Sequence, residues 1–135
     1  IVEVMMGLES SPIVGTDGKL VDLSRYLVAV LKNDGTVFAW GYNATGELGI
    51  NNTTHKYTPV QVLGVGGSGN LTNIVELAGG KHNLAVKNDG TLWAWGNNSY
   101  GQLGDGTITQ RHSPVQIGTA TNWNWISSFS TIIWC

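Results

Sequence analysis

A stretch of 31 residues occurs twice in this chain. Residues 32–62 read KNDGTVFAWGYNATGELGINNTTHKYTPVQV and residues 87–117 read KNDGTLWAWGNNSYGQLGDGTITQRHSPVQI, at a constant offset of 55 with no gap. Sixteen of the 31 positions are identical, and most differences are mild, as at Val37/Leu92, Phe38/Trp93, Glu47/Gln102 and Lys56/Arg111. Chance does not keep Gly, Trp and Pro in register over that distance. The chain must therefore be built from one supersecondary unit used repeatedly, each copy burying an apolar face against the next.

Upstream of this window the copies are looser. Residues 20–26 (LVDLSRY) correspond roughly to 74–80 (IVELAGG), followed by a one-residue gap. Ser11-Pro12-Ile13-Val14 looks like the closing Ser113-Pro114-Val115-Gln116 of a further copy, and residues 123–135 look like the opening of another. The expected organisation is a tail of a preceding repeat over 1–14, repeats over 15–69 and 70–118, and the start of a further repeat over 119–135.

Local chemistry makes each unit a set of short strands. The apolar runs 27–31 and 84–86 are too short for helices, and each is followed by Asn-Asp-Gly-Thr and a second apolar run, 37–40 or 92–95. Asp-Gly between apolar runs is a hairpin signal, since Gly35 and Gly90 accept the positive φ of a tight turn. Both runs are apolar at nearly every position, which predicts sheets covered on both faces. Phe38 with Trp40, and Trp93 with Trp95, project from one face at period two; Val37, Ala39, Leu92 and Ala94 take the other. Gly41 and Gly96 allow a sharp exit after the tryptophan. Gly46, Gly49, Gly101 and Gly104 punctuate a loop around Leu48 and Leu103, expected to be buried. Pro59 and Pro114 open the next extended run, where a missing N–H is tolerated. No segment shows sustained helical periodicity with caps.

Composition narrows the partner. Of 135 residues only 12% are charged, about half the ~25% of ordinary soluble domains, and the net charge is -2. The acidic balance leaves no basic tail or stripe of the kind that neutralises phosphates, so nucleic acid is not an expected partner. A hydrophobic fraction of 41% is too high for disorder. No apolar run approaches the ~18 residues of a membrane span. The one cysteine, Cys135, is the last residue, so no disulfide is expected within the chain. The start, Ile1-Val2-Glu3-Val4-Met5-Met6-Gly7, shows no signal-peptide pattern.

The pattern NDGTLWAWGNNSYGQLGDGT at 88–107, then SPVQI at 113–117, resembles the regulator of chromosome condensation repeat. Residues 78–86 (AGGKHNLAV) are similar to the Gly-Xaa-Xaa-His-Xaa-Leu-Ala-Leu stretch of the same family. The wording at 58–62 (TPVQV) and 118–123 (GTATNW) is closer to bacterial members. The resemblance implies an all-β fold: four-stranded antiparallel β-propeller blades arranged around an axis, in a ring of about seven. About two and a half repeats fit in this chain. The propeller is therefore partial, as a piece of a longer protein, or is completed by an oligomer. In a lone chain, blade faces carrying Trp40, Trp93 and Trp95 are expected to lie open. The first copy departs from the pattern at Ser24-Arg25-Tyr26, and at Leu27 where the second has His82. The start of the third departs at Ser128-Phe129.

No acid, base or nucleophile constellation converges in the sequence. Of the three histidines, His55 and His112 sit in polar loops and His82 in an apolar strand, where a structural role is expected. There is no Cys pair, no His-Xaa-Xaa-Xaa-His and no full calcium loop, so no metal site is expected. The Gly-Xaa-Leu-Gly loops lack the following Lys-Ser/Thr of a phosphate loop. Asp34 and Asp89 are explained by their turns. Asn43, Asn51, Asn52, Asn70 and Asn97 open formal glycosylation sequons that arise easily in a chain so rich in Asn and Thr.

What remains is recognition by loops on a rigid scaffold. The expected function is a non-catalytic, protein-binding repeat module of a larger bacterial-type protein. It carries no cofactor, and Tyr42, Asn43, Asn98 and Tyr100 are its candidate loop contacts. The cell surface or exterior is expected over the cytoplasm. Two alternatives stand beside it: exchange of guanine nucleotide on a small GTPase, the activity of the namesake, and self-assembly of copies into a ring or filament.

Overall fold

The computed structural model describes residues 3–8, 26–123, 127–129 and 132–134. The strands are β1 (Glu3–Leu8), β2 (Tyr26–Leu31), β3 (Val37–Gly41), β4 (Lys56–Gln61), β5 (Ile74–Ala78), β6 (His82–Lys87), β7 (Leu92–Gly96), β8 (Arg111–Gln116), β9 (Ser127–Phe129) and β10 (Ile132–Trp134). They form two four-stranded antiparallel sheets, β1-β2-β3-β4 and β5-β6-β7-β8, and a two-stranded pair β9-β10. One turn of 3-10 helix at Val65–Gly67 is the helical structure among the described residues.

The Asn-Asp-Gly-Thr hairpins form as their chemistry requires. In the first, Lys32 N donates to Thr36 O at 2.9 Å and Gly35 N to Lys32 O at 3.0 Å. Gly35 has φ +83, a left-handed conformation that a Cβ would strain. The Asp34 carboxylate caps the turn, accepting from the Thr36 hydroxyl and N–H, and Asp89 does the same with Thr91. Those bonds, the hydroxyl first, hold both carboxyls below the ordinary carboxylate range. The turn glycine also joins one sheet to the next: Ile74 N donates to Gly35 O at 3.0 Å, and Trp123 N to Gly90 O at 3.2 Å.

Register confirms the two faces. Val28 pairs with Trp40 and Val30 with Phe38, while Ala29 pairs with Ala39 and Leu31 with Val37. The Ala29/Ala39 face of the first sheet packs with Leu48, Val62, Leu71, Ile74, Leu77, Ala85 and Trp95 in one core. The opposite face of the second sheet builds another core from Leu84, Val86, Leu92, Ala94 and Leu103, against which Trp123 packs.

Three sequence expectations change here. Trp93 and Trp95 are not open to water: they are 8% and 1% exposed, Trp95 because it packs in the core against the first sheet, and of the three only Trp40 stays half-buried. Pro59 and Pro114 lie inside β4 and β8 and do not open them. Both are edge strands, so a residue without N–H is accepted mid-strand.

The third change concerns the N-terminus. Glu3–Leu8, within the range read as the tail of a preceding repeat, is the first strand of the first sheet, with Glu3 opposite Leu31, Val4 opposite Val30 and Met5 opposite Ala29. In the second sheet Glu76 lies opposite Val86, Leu77 opposite Ala85 and Ala78 opposite Leu84. Residues 1–7 (IVEVMMG) thus match 74–80 (IVELAGG) in wording, and Glu3–Met5 match Glu76–Ala78 in register. The readings made for Ser11–Val14 and for residues 20–25 lie outside the described residues.

Candidate functional site

Among the described residues, the long loops within the two sheets are the connections between β3 and β4 (residues 42–55) and between β7 and β8 (residues 97–110). Each folds around one asparagine. Asn98 Oδ1 accepts the Leu103 N–H at 3.0 Å, and its Nδ2 donates to the carbonyls of Thr107 and Thr109, both at 3.0 Å. Asn43 repeats this: Oδ1 accepts from Leu48 N at 2.8 Å, and Nδ2 donates to Asn52 O at 3.0 Å and Thr54 O at 2.9 Å. Two successive turns follow, closed by Gly101 N to Asn98 O and Gly104 N to Gly101 O in the second loop, and the leucine lies within the second of them. The leucine then plugs the core, with Leu48 and Leu103 fully buried.

The main chain of each asparagine is held as well. Asn43 N donates to His55 Nδ1 at 2.9 Å, and Asn98 N to Gln110 Oε1 at 2.6 Å. Tyr42 stacks on His55 with ring centroids 5.1 Å apart. At the next turn the buried Glu47 carboxylate accepts the Thr45 N–H at 2.8 Å and the Thr45 hydroxyl. Its counterpart Gln102 accepts from Tyr100 N at 2.7 Å and donates to Asn97 Oδ1 at 2.9 Å.

The first loop is locked to the second sheet. Glu47 O accepts from Asn83 Nδ2 at 2.8 Å and from Trp95 Nε1 at 3.0 Å, and Asn51 N donates to His112 O at 2.8 Å. Close approach is possible because Gly46 has no Cβ: one would stand 2.7 Å from His112 Cα. The second loop carries its own ion pair, Arg111 Nε to Asp105 Oδ2 at 2.7 Å, where the first copy has Lys56 and Ile50.

Burial acts to raise the Asp105 pKa. Hydrogen bonds from the Thr107 hydroxyl, Arg111, Thr107 N–H and Asn98 outweigh it and bring the carboxyl to about 2, below the ordinary 3.8. A lowered folded-state pKa stabilises the fold above the unfolded value, and that stability is lost as pH falls through the folded one. The second loop should therefore lose on the order of 1–2 kcal/mol between about pH 4 and pH 2. Asp105→Asn should flatten the acid limb of a stability–pH curve measured by urea unfolding; an unchanged limb would refute the assignment.

The four loop residues expected to contact a partner separate into two groups. Asn43 and Asn98 are fully buried, so their side chains organise the loops and present no surface. Tyr42 is half-buried against His55, whereas Tyr100 is 84% exposed. Ile108, 74% exposed in the same loop as Tyr100, was not singled out. Its signal was an isolated apolar residue in an Asn/Thr loop where the first copy has Thr53. His82 is fully buried in β6. Among the described residues no group of three or more His, Cys, Asp or Glu side chains could hold a metal ion. No described helix is long and apolar enough to cross a membrane.

Comparison with known proteins places these loops in context. The family model for the Regulator of chromosome condensation (RCC1) repeat matches residues 34–86 and 89–130. The Ultraviolet-B receptor UVR8 of Arabidopsis thaliana is 29% identical over 112 residues, covering 83% of this chain and 24% of that protein. The crystal structure of human WBSCR16 superposes with a TM-score of 0.66 at 27% identity, covering 76% of this chain and 26% of that one. Yeast RCC1 (Prp20), crystallised with Kap60 bound to it, superposes with a TM-score of 0.56 at 26% identity over 76% of this chain and 23% of that one. The two sheets are therefore RCC1-like propeller blades, and the chain spans about a quarter of the length of these relatives. All three are eukaryotic proteins and lend no support to the bacterial affinity read at 58–62 and 118–123.

Proposed function

The chain belongs to the RCC1 repeat family, and on that premise we propose that it is a non-catalytic part of a larger propeller, holding a protein partner against its long loops. The observation that carries this reading is the 97–110 loop. Tyr100 and Ile108 stand out from it at 84% and 74% exposure, while the backbone beneath them is fixed through Asn98, Gln102, Gln110 and Asp105. An aromatic and an aliphatic side chain on a pre-ordered backbone lose little conformational freedom on binding, and that is how interface anchors gain affinity. Loops positioned by a rigid scaffold are also where recognition commonly sits. Support from a relative is that yeast RCC1 (Prp20) was crystallised with Kap60 bound.

Kap60 is accordingly the first defined probe. Replacing Tyr100 with Ala and Ile108 with Ser together should weaken partner capture by at least about tenfold, as loss of two anchors does. The melting temperature should stay within about 1 °C, because both side chains face solvent. Undiminished capture by the double variant would overturn the role of this loop. Accelerated release of labelled GDP from a small GTPase in the presence of the chain would replace passive binding with exchange.

A further inference from the structure

The acceptor that closes the first long loop is a titratable ring, whereas the one that closes the second is not. His55 Nδ1 accepts the Asn43 N–H at 2.9 Å, and Gln110 Oε1 accepts the Asn98 N–H at 2.6 Å. The two acceptors lie 55 residues apart, at the same place in the repeat. A main-chain N–H only donates, so His55 must keep its lone pair on Nδ1 and its proton on Nε2. In the imidazolium both nitrogens are donors, and the contact becomes one N–H facing another. Histidine changes charge between pH 5 and 8 and glutamine does not.

We propose that residues 42–55 form an acid-sensitive latch, in which protonation of His55 releases the Asn43 amide and loosens the loop while residues 97–110 stay closed. The Asn43 side chain would carry the change across the loop, because it binds Leu48 N and the carbonyls of Asn52 and Thr54. Glu47 would carry it to the second sheet, because its carbonyl holds Asn83 and Trp95. The charged and titratable neighbours of His55 are few. Tyr42 stacks on the ring, Lys56 follows it in the chain, and the Glu47 carboxylate of the same loop is occupied by Thr45. From the adjoining sheet His112 lies against Gly46, and Arg111 is paired with Asp105. Asp34, Asp89 and Asp105, all held below the ordinary carboxylate range, remain ionised at pH 5 and do not contribute.

The test is amide hydrogen exchange at pH 7.5 and pH 5.0, corrected for intrinsic rates, and it is independent of any partner. Protection at Asn43 and Leu48 should fall about tenfold at pH 5.0, the scale of one lost hydrogen bond with a buried donor. Asn98 and Leu103 should keep theirs. His55→Gln, which installs the second loop's acceptor, should remove the fall, and His112→Gln should leave it in place. Full protection of Asn43 at pH 5.0 would overturn the latch, as would a fall that survives His55→Gln.

Discussion

Asn98→Ala is expected to cost about 3 kcal/mol, although it removes only a small side chain from a surface loop. The amide satisfies one buried donor, Leu103 N, and two carbonyls, Thr107 O and Thr109 O, and it also bonds Asp105. Each buried polar group left unpaired costs about 1–3 kcal/mol, and water can reach only part of this cluster. Asn98→Asp separates the two halves of the amide. It keeps an acceptor for Leu103 but aims a second oxygen at two carbonyls and at the Asp105 carboxylate, so it should be at least as damaging. Urea unfolding with an unchanged m-value would measure both. A loss below about 0.5 kcal/mol, the level of an ordinary surface substitution, would show that the loop does not depend on this residue.

Trp95→Ala should cost about 4 kcal/mol, the range for truncating a fully buried large aromatic. Its ring is 1% exposed between the two sheets, and its Nε1 donates across the interface to Glu47 O. Trp40 occupies the same position in the first copy but is half-buried. Trp40→Ala should accordingly cost only about 1–2 kcal/mol, in proportion to the apolar area it removes from water. Trp95→Phe isolates the interface hydrogen bond from the packing and should cost about 1–2 kcal/mol, since it removes the indole donor while Asn83 still donates to Glu47 O. Equal losses at positions 40 and 95 would contradict the burial difference between the two faces.

Much of this architecture is local and was readable. The Asn-Asp-Gly-Thr turns form because Gly35 and Gly90 take positive φ and the aspartates cap them, all within five residues. The alternation of Phe38 and Trp40 with Val37 and Ala39 follows from strand geometry alone. The N-terminal strand is also written in the sequence, since IVEVMMG repeats IVELAGG, but residues 20–26 carry a competing similarity to the same segment. The candidate site was less legible. Asn43 and Asn98 look like polar loop tips in a one-dimensional reading. Their role depends on carbonyls nine and eleven residues away folding back over them.

By itself the sequence determined the repeat, its strands, its turns and the two faces of each sheet, because those depend on residues within one turn or at period two. The tertiary structure decided which tryptophan face is covered, which loop side chains point inward and that Tyr100 and Ile108 are left on the surface. Burial is a property of what lies across the gap, and the neighbour that supplies it is a whole repeat away in the chain.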